Sequence, residues 1–191
     1  MLKRYLLSIA LLMLAISAHA AIGVDEAQER RIRSGLKLFR AVLAADEDIA
    51  SKADSSGALC LSVVFYGNRQ LAEGFAAELM TLSSGTKGGI RKLPVKVRVL
   101  SWQEMNDSLE VPAGIYVVEE FAEDALQRLV RYGIEHQVIV YSPYEEHVAR
   151  GVLGGLIIET RVRPYINMKT LRASKVRLKS FFLKVAKRYD P

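Results

Sequence analysis

Residues 58–66 read Ala-Leu-Cys-Leu-Ser-Val-Val-Phe-Tyr, and this stretch decides the fold. The run is almost entirely apolar and rich in β-branched and aromatic residues, which is typical of a strand covered on both faces. It stops at Gly67-Asn68, and apolar residues then recur at helical spacing at Leu71, Phe75, Leu79 and Leu82. A buried strand followed directly by an amphipathic helix predicts a parallel sheet with crossover helices.

The same alternation continues on both sides of this stretch. Residues 114–118 and 138–141 predict two more covered strands, separated by a helix over residues 122–135. Residues 95–100 alternate apolar and basic side chains, which indicates an edge strand or a half-covered strand. Upstream, the apolar spacing over residues 26–44 predicts a first amphipathic helix.

The C-terminal part changes character. Residues 156–158 and 162–166 predict two short strands joined by a tight connection, and residues 169–188 predict one long final helix. The sequence therefore predicts an α/β fold: a single-domain three-layer sandwich with a mostly parallel sheet and helices on both faces. A C-terminal antiparallel strand pair and the long helix complete it.

The first twenty residues have the pattern of a cleavable signal peptide. Lys3 and Arg4 are followed by the apolar run of residues 6–16 and by the small-x-small sequence of residues 18–20. A signal-anchor helix is the alternative, but this run is roughly half of the length needed to span a bilayer. We therefore predict a signal peptide over residues 1–20 and a mature periplasmic domain over residues 21–191.

Charge and composition restrict the classes of partner. The chain has a formal charge of +6 and a hydrophobic fraction of 50%, which favours a globular domain over a disordered one. Its basic residues concentrate between Arg161 and Arg188. Export makes nucleic acid an unexpected partner, so we expect the basic C-terminal helix either to be a solvated face or to lie near an anionic membrane surface or an acidic partner.

Motifs for catalysis or for metal binding are missing from the sequence. Cys60 is the only cysteine and lies within the predicted buried strand, so we expect a buried thiol and no intramolecular disulfide. His147 follows Glu145-Glu146 without the spacing of a zinc site, and we expect it at an exposed loop or helix start. We predict no cofactor, no metal and no enzymatic activity.

Two groups of polar residues are candidate binding sites. Arg161, Arg163, Tyr165 and Asn167 alternate along a predicted strand and therefore share one face. They form either a clamp for a carboxylate or an acidic partner loop, or the solvated side of a half-buried strand. The second group, Glu119 and Glu120, follows a strand at the sheet edge where α/β proteins bind ligands, although helix-start acids are equally expected there.

The C-terminal block resembles the end of the YfiR-like periplasmic domain family. That family ends in a strand close to V-R-F-E-I-N and an amphipathic helix with the pattern L-L-x-L-A. The matching residues here are Val162, Arg163, Ile166, Asn167, Leu183 and Ala186. The pattern is strongest over residues 154–188, and the cysteine pairs of the founding member cannot form with Cys60 alone.

This resemblance implies a regulator without enzymatic activity. It implies binding to the periplasmic domain of an inner-membrane signalling protein, either a diguanylate cyclase of the cyclic di-GMP pathway or a sensor kinase, and it is compatible with a homodimer. Function does not follow from fold alone. The alternative is a periplasmic small-ligand binding protein, associated with transport.

Overall fold

Seven strands form one sheet in the computed structural model, which describes residues 26–84 and 88–191. The strands are β1 (Leu59–Phe65), β2 (Val95–Ser101), β3 (Gly114–Val117), β4 (Ile139–Ser142), β5 (Gly154–Ile158), β6 (Val162–Asn167) and β7 (Lys187–Tyr189). Their spatial order is β2-β1-β3-β4-β5-β6-β7. The first five strands pair in parallel, β5 and β6 pair as an antiparallel hairpin, and β7 runs parallel to β6.

The described residues fall into two units, residues 26–33 and residues from 34 onward. In the first unit, residues 26–33 are helical and carry the (i, i+4) ion pairs Arg30–Glu26 and Arg33–Glu29. The second unit begins with helix α1, residues 34–45. Its other helices are α2 (Arg69–Leu82), α3 (Trp102–Asp107), α4 (Glu123–Glu135), α5 (Glu145–Ala149), α6 (Met168–Ser174) and α7 (Ser180–Val185), with a 3₁₀ turn at Ile49–Lys52.

Apolar side chains cover the central strands from both faces. On one face, the ring of Phe39 in α1 packs 5.4 Å from the ring of Tyr116 and 5.7 Å from that of Tyr141, centroid to centroid. On the other face, Val64, Ile115, Val117 and Val140 join a fully enclosed cluster with Leu126 and Leu129 of α4. The α/β fold class with helices around a mostly parallel sheet, and the antiparallel C-terminal pair, are therefore confirmed.

The predicted long final helix is wrong. Residues 169–188 instead contain α6, a connecting segment, α7 and β7. Helix α6 ends where Lys175 adopts a left-handed conformation with φ of 56°. The segment that follows pairs with the end of α1: the Glu47 N–H donates to the Arg177 carbonyl at 2.9 Å, and the Lys179 N–H donates to the Ala45 carbonyl at 3.0 Å. These bonds satisfy backbone groups that a helix would have paired internally.

A buried carboxylate organises the amino-terminal edge of the sheet. Asp46 is fully buried and accepts a 2.7 Å bond from Lys52 Nζ, which also donates to the Gln137 carbonyl at 2.8 Å. The Asp48 N–H donates to the same carboxylate at 3.0 Å. Since a buried charge is tolerated only when it is paired and hydrogen-bonded, this contact fixes the turn after α1 against the loop before β4.

The described residues include no helix long and apolar enough to cross a membrane. The predicted signal peptide, residues 1–20, lies outside the described residues.

Gly155 is a position where the close approach of strands excludes a side chain. A Cβ atom there would lie 2.5 Å from Val148 Cγ2 and 2.7 Å from the carbonyl oxygen of Ser142. We expect Gly155→Ala to lower the free energy of unfolding by about 3 kcal/mol, because backbone cannot move aside as a side chain can. Urea denaturation measures this change.

Gly74 supplies the matched control. It is exposed in α2, and a Cβ atom there meets nothing within 4 Å. Gly74→Ala should therefore raise the free energy of unfolding by about 0.5–1 kcal/mol. Equal effects of the two substitutions would contradict the packing at Gly155.

Candidate functional site

The strand order places a topological switch point between β1 and β3. From β1 the chain runs through α2 to β2 on one side, and it returns through α3 to β3 on the other side. The connections that leave β1 and β3 therefore diverge, which opens a crevice beyond the carboxyl ends of these strands. The residues that follow β1, β2 and β3 meet at this edge.

Glu119 closes the base of this crevice. Its Oε1 atom accepts hydrogen bonds from three consecutive backbone N–H groups, those of Tyr66 at 2.6 Å, Gly67 at 2.9 Å and Asn68 at 3.1 Å. Asn68 is the N-cap of α2, and its side chain accepts from the Leu71 N–H at 2.9 Å. The carboxylate thus occupies the position at a helix N-terminus where an anionic ligand would bind.

Aromatic rings from three strand ends form one wall of the crevice. The ring of Tyr66, which follows β1, stacks on that of Trp102, which follows β2, with centroids 6.4 Å apart and planes 19° apart. Phe121, which follows β3, lies beneath at 5.4 Å from the Tyr66 ring. Phe121 is buried, Trp102 is half-buried, and Tyr66 is 43% exposed. The wall therefore presents an aromatic surface to solvent.

Two exposed arginines flank these rings. The Arg128 guanidinium lies 5.6 Å from the centre of the Trp102 ring, and that of Arg69 lies 5.1 Å from the centre of the Phe65 ring. Arg69 also pairs with Glu104 at 3.5 Å. Glu104 itself completes a capping box with Ser101 at the start of α3, and the hydrogen bond from the Ser101 backbone lowers the pKa of its carboxyl.

A buried Ser–His pair supports the loop behind Phe121. His147 Nδ1 lies 2.8 Å from Ser142 Oγ, and the Phe121 N–H donates to His147 Nε2 at 3.4 Å. Because Nε2 accepts, the neutral imidazole carries its proton on Nδ1 and donates to Ser142. Burial and the nearby Arg150 charge lower the pKa of His147 to about 4, against the opposing charge of Glu123.

This position of His147 corrects the expectation of an exposed residue, since only 1% of it is exposed. Ser142 is fully buried as well, so substrate cannot reach the pair. The pair is therefore a structural support and lacks the access that nucleophilic catalysis needs. Among the described residues, no group of three or more His, Cys, Asp or Glu side chains is arranged to hold a metal ion.

The acidic residues after β3 divide into two roles. Glu123 and Asp124 lie in the first turn of α4, as the helix-start interpretation expects. Glu119 instead binds the N-terminus of α2, a helix 50 residues earlier in the chain. The sequence placed Glu119 at the correct sheet edge, but spacing cannot show which helix receives it.

The four residues predicted to share one binding face lie away from the switch point between β1 and β3, and they do not form one exposed face. Arg161 is exposed in the β5–β6 turn. Arg163 is half-buried, donates to the Val185 carbonyl at 3.2 and 3.3 Å and pairs with Glu159 at 3.4 Å. Tyr165 is buried with its ring 5.9 Å from that of Tyr189. Asn167 is buried as the N-cap of α6 and donates to the Val148 carbonyl at 2.8 Å.

Cys60 lies at the opposite, amino-terminal edge of the sheet. It is buried and free, and it lines a cavity of about 340 Å³ together with Lys52, Asp54, Glu110 and His136. Burial raises the pKa of the Cys60 thiol. The thiol form therefore predominates at neutral pH, and this form is a poor nucleophile.

Comparison with known proteins is limited to the fold. No family model matches the chain, and no curated protein matches it. Two solved structures are similar: an ABC domain in complex with L-Trp from Streptococcus pneumoniae (TM-score 0.51, 12% identity) and a conserved domain protein from Vibrio cholerae O1 biovar El Tor (TM-score 0.50, 12% identity). The matches cover 77% and 73% of this chain but only 61% and 57% of those two chains.

His147 makes stability depend on pH. Because its pKa falls from the ordinary 6.5 to about 4 in the folded chain, the native state favours the neutral ring. The free energy of unfolding is therefore highest above about pH 6.5 and falls as the pH falls from 6.5 towards 4, because in this range the unfolded chain binds a proton that the folded chain does not. We expect the free energy of unfolding to drop by about 2.5 kcal/mol on this account between about pH 7.5 and about pH 4.5, measured by urea denaturation.

Substituted histidines separate this effect from general acid sensitivity. His147→Gln should remove most of that pH dependence, whereas His136→Gln, at an exposed histidine, should keep it. If the free energy of unfolding of His147→Gln depended on pH as strongly as that of the wild type, other groups would be responsible for the acid sensitivity.

The Glu119 carboxylate should stabilise the fold by occupying the anion-binding position at the N-terminus of α2. Glu119→Ala leaves three adjacent N–H groups without their carboxylate, so we expect a loss of about 1–3 kcal/mol in the free energy of unfolding. Added sulfate should then raise the melting temperature of Glu119→Ala more than that of the wild type, because the vacated N–H groups can donate to a bound anion.

The neighbouring Glu120 provides the control, since it is exposed. Glu120→Ala should match the wild type in both measurements. If sulfate stabilises the wild type and Glu119→Ala equally, Glu119 does not occupy the anion position in solution.

Proposed function

We propose that this chain is a non-catalytic binding module that contacts a partner protein through its carboxyl-edge surface. This surface consists of Tyr66, Arg69, Trp102 and Arg128. The observation that carries the proposal is the exposed aromatic stack at the switch point, flanked by two arginines. Tyrosine, tryptophan and arginine are the residues that contribute most often to the binding energy of protein interfaces.

The Glu119 carboxylate makes a small anionic ligand a weaker candidate at this edge. A free carboxylate or phosphate would have to displace an internal group that already accepts three hydrogen bonds. Because Glu119 already fills the position where an anion would bind, the aromatic surface above it is better suited to the broad surface of a partner protein than to an enclosed small ligand. Tyr66, at 43% exposure, is available to such a contact.

The signal-peptide pattern and the YfiR-like resemblance support one class of partner. The signal-peptide pattern of residues 1–20 supports export to the periplasm. The YfiR-like C-terminal pattern supports a partner that is the periplasmic domain of an inner-membrane signalling protein, such as a diguanylate cyclase or a sensor kinase. A homodimer is compatible with this function, and of the four predicted binding residues Arg161 is exposed for a second contact, whereas Tyr165 and Asn167 are buried.

Periplasmic small-ligand binding is the alternative function. It is favoured by the cavity beside Cys60 and by the fold shared with an ABC domain that was solved with L-Trp. At 12% identity that likeness extends to the fold only. Thermal shift against the amino acids tests this alternative directly, since a ligand that binds only the folded chain raises its melting temperature.

Photocrosslinking in intact cells tests the partner contact. A photoreactive phenylalanine analogue at Tyr66 should crosslink the chain to an inner-membrane protein that carries a cytoplasmic cyclase or kinase domain. The same analogue at Leu109, which is fully exposed at 102%, is the matched control and should capture much less of it. Mass spectrometry identifies the captured protein.

Binding of the purified chain to the purified periplasmic domain of the captured protein then measures how much Tyr66 contributes to affinity. Tyr66→Ala should weaken binding to the isolated periplasmic domain by about tenfold or more, and Leu109→Ala should leave it unchanged. Capture of only a transporter subunit, or equal capture from both positions, would contradict the proposed function.

A further inference from the structure

We propose that a second surface, the α7 patch, docks the protein peripherally on an anionic phospholipid membrane. The α7 patch consists of the exposed apolar residues Ile158, Val162, Phe181 and Val185. It uses different residues from the carboxyl-edge surface, so this inference does not depend on the proposed partner.

Four large apolar side chains are exposed in one neighbourhood. Phe181 and Val185 are 63% and 58% exposed and lie four residues apart on α7, which places them on one side of the helix. Ile158 and Val162 are 51% and 43% exposed and are direct partners across the β5–β6 hairpin.

A contact of Arg163 brings together the two segments that carry these pairs. Arg163, next to Val162 in β6, donates from Nε and Nη2 to the carbonyl of Val185 at 3.3 and 3.2 Å. The end of α7 is thereby held beside the start of β6. Grouped apolar exposure of this kind marks a contact surface, whereas single exposed apolar residues are ordinary.

The positive charge of the segment that carries the α7 patch favours an anionic membrane as its partner. Residues 161–188 contain ten lysines and arginines and no acidic residue, whereas the whole chain has a net charge of only +6. The rest of the chain is therefore net negative, and the net positive charge comes from the segment that carries Phe181 and Val185. A cationic surface with apolar residues at its centre complements anionic lipid headgroups.

Lysines border the apolar residues directly. Lys179 Nζ lies 6.0 Å from the centre of the Phe181 ring, and Lys184 is exposed next to Val185. Within the described ranges, Arg161, Lys184 and Arg188 form no ion pair, so their charges are not neutralised by acids of the same chain. The apolar part of a lysine side chain can lie along a membrane interface while its ammonium group reaches the lipid phosphates. Because lipid headgroups are mobile, such binding does not require the planar, bidentate geometry of an arginine guanidinium.

Vesicle flotation with the full chain tests the proposal. The chain should float with vesicles that contain phosphatidylglycerol and stay unbound with phosphatidylcholine alone, and added salt should weaken the binding. All variants carry the same residues 1–25, so any lipid affinity of the leader is equal among them.

Two matched pairs of variants localise the contact. Lys184→Gln should weaken binding about fivefold, and Lys37→Gln, at an exposed lysine of α1, should not weaken it. Phe181→Ser should weaken binding about tenfold or more, and Leu109→Ser, at another exposed apolar residue, should not. Circular dichroism confirms that each variant is folded.

Three outcomes would overturn the proposal. The first is equal flotation with neutral and anionic vesicles. The second is equal loss in Phe181→Ser and Leu109→Ser. The third is a dimer in analytical ultracentrifugation that Phe181→Ser dissociates, because a second copy would then cover the α7 patch.

Discussion

The three hydrogen bonds that the Glu119 carboxylate accepts from the backbone of residues 66–68 determine the arrangement of the carboxyl edge. They connect the ends of β1 and β3 where the chain connections diverge, and they fix the entry into α2. The position of the Tyr66 ring depends on this contact, because its own N–H is one of the donors. A crevice that binds ligands in other α/β proteins is thus closed at its base by the protein's own carboxylate, while Tyr66 and the two flanking arginines face solvent.

The sequence predicts the sheet well because the central strands are unbroken apolar runs whose ends carry turn residues. It fails for residues 169–188 because Leu171, Leu178 and Phe182 keep a helical spacing, although the chain turns at Lys175 without a glycine to mark the turn. The segment after the left-handed Lys175 pairs through Arg177 and Lys179 with residues 47 and 45, more than 120 positions away. Local spacing carries no information about such a contact.

Polar residues were harder to predict than apolar ones for a related reason. Asp46 lies in a polar stretch that suggests a solvated loop, yet it is buried against Lys52. His147 follows two glutamates and is nevertheless enclosed beside Ser142. The predicted clamp strand contains Asn167, whose amide is used to cap α6. In each case the local pattern favoured exposure of the residue to solvent, because the partner that buries it lies outside that pattern.

Both outer strands of the sheet carry cations. β2 bears Lys96 and Arg98, and β7 bears Lys187 and Arg188. An open strand edge is a template for addition of further strands, and like charges on approaching edges oppose that addition. Two copies that met edge to edge through either strand would bring lysine and arginine together. Charged side chains on both outer strands therefore disfavour the edge-to-edge polymerisation of this sheet.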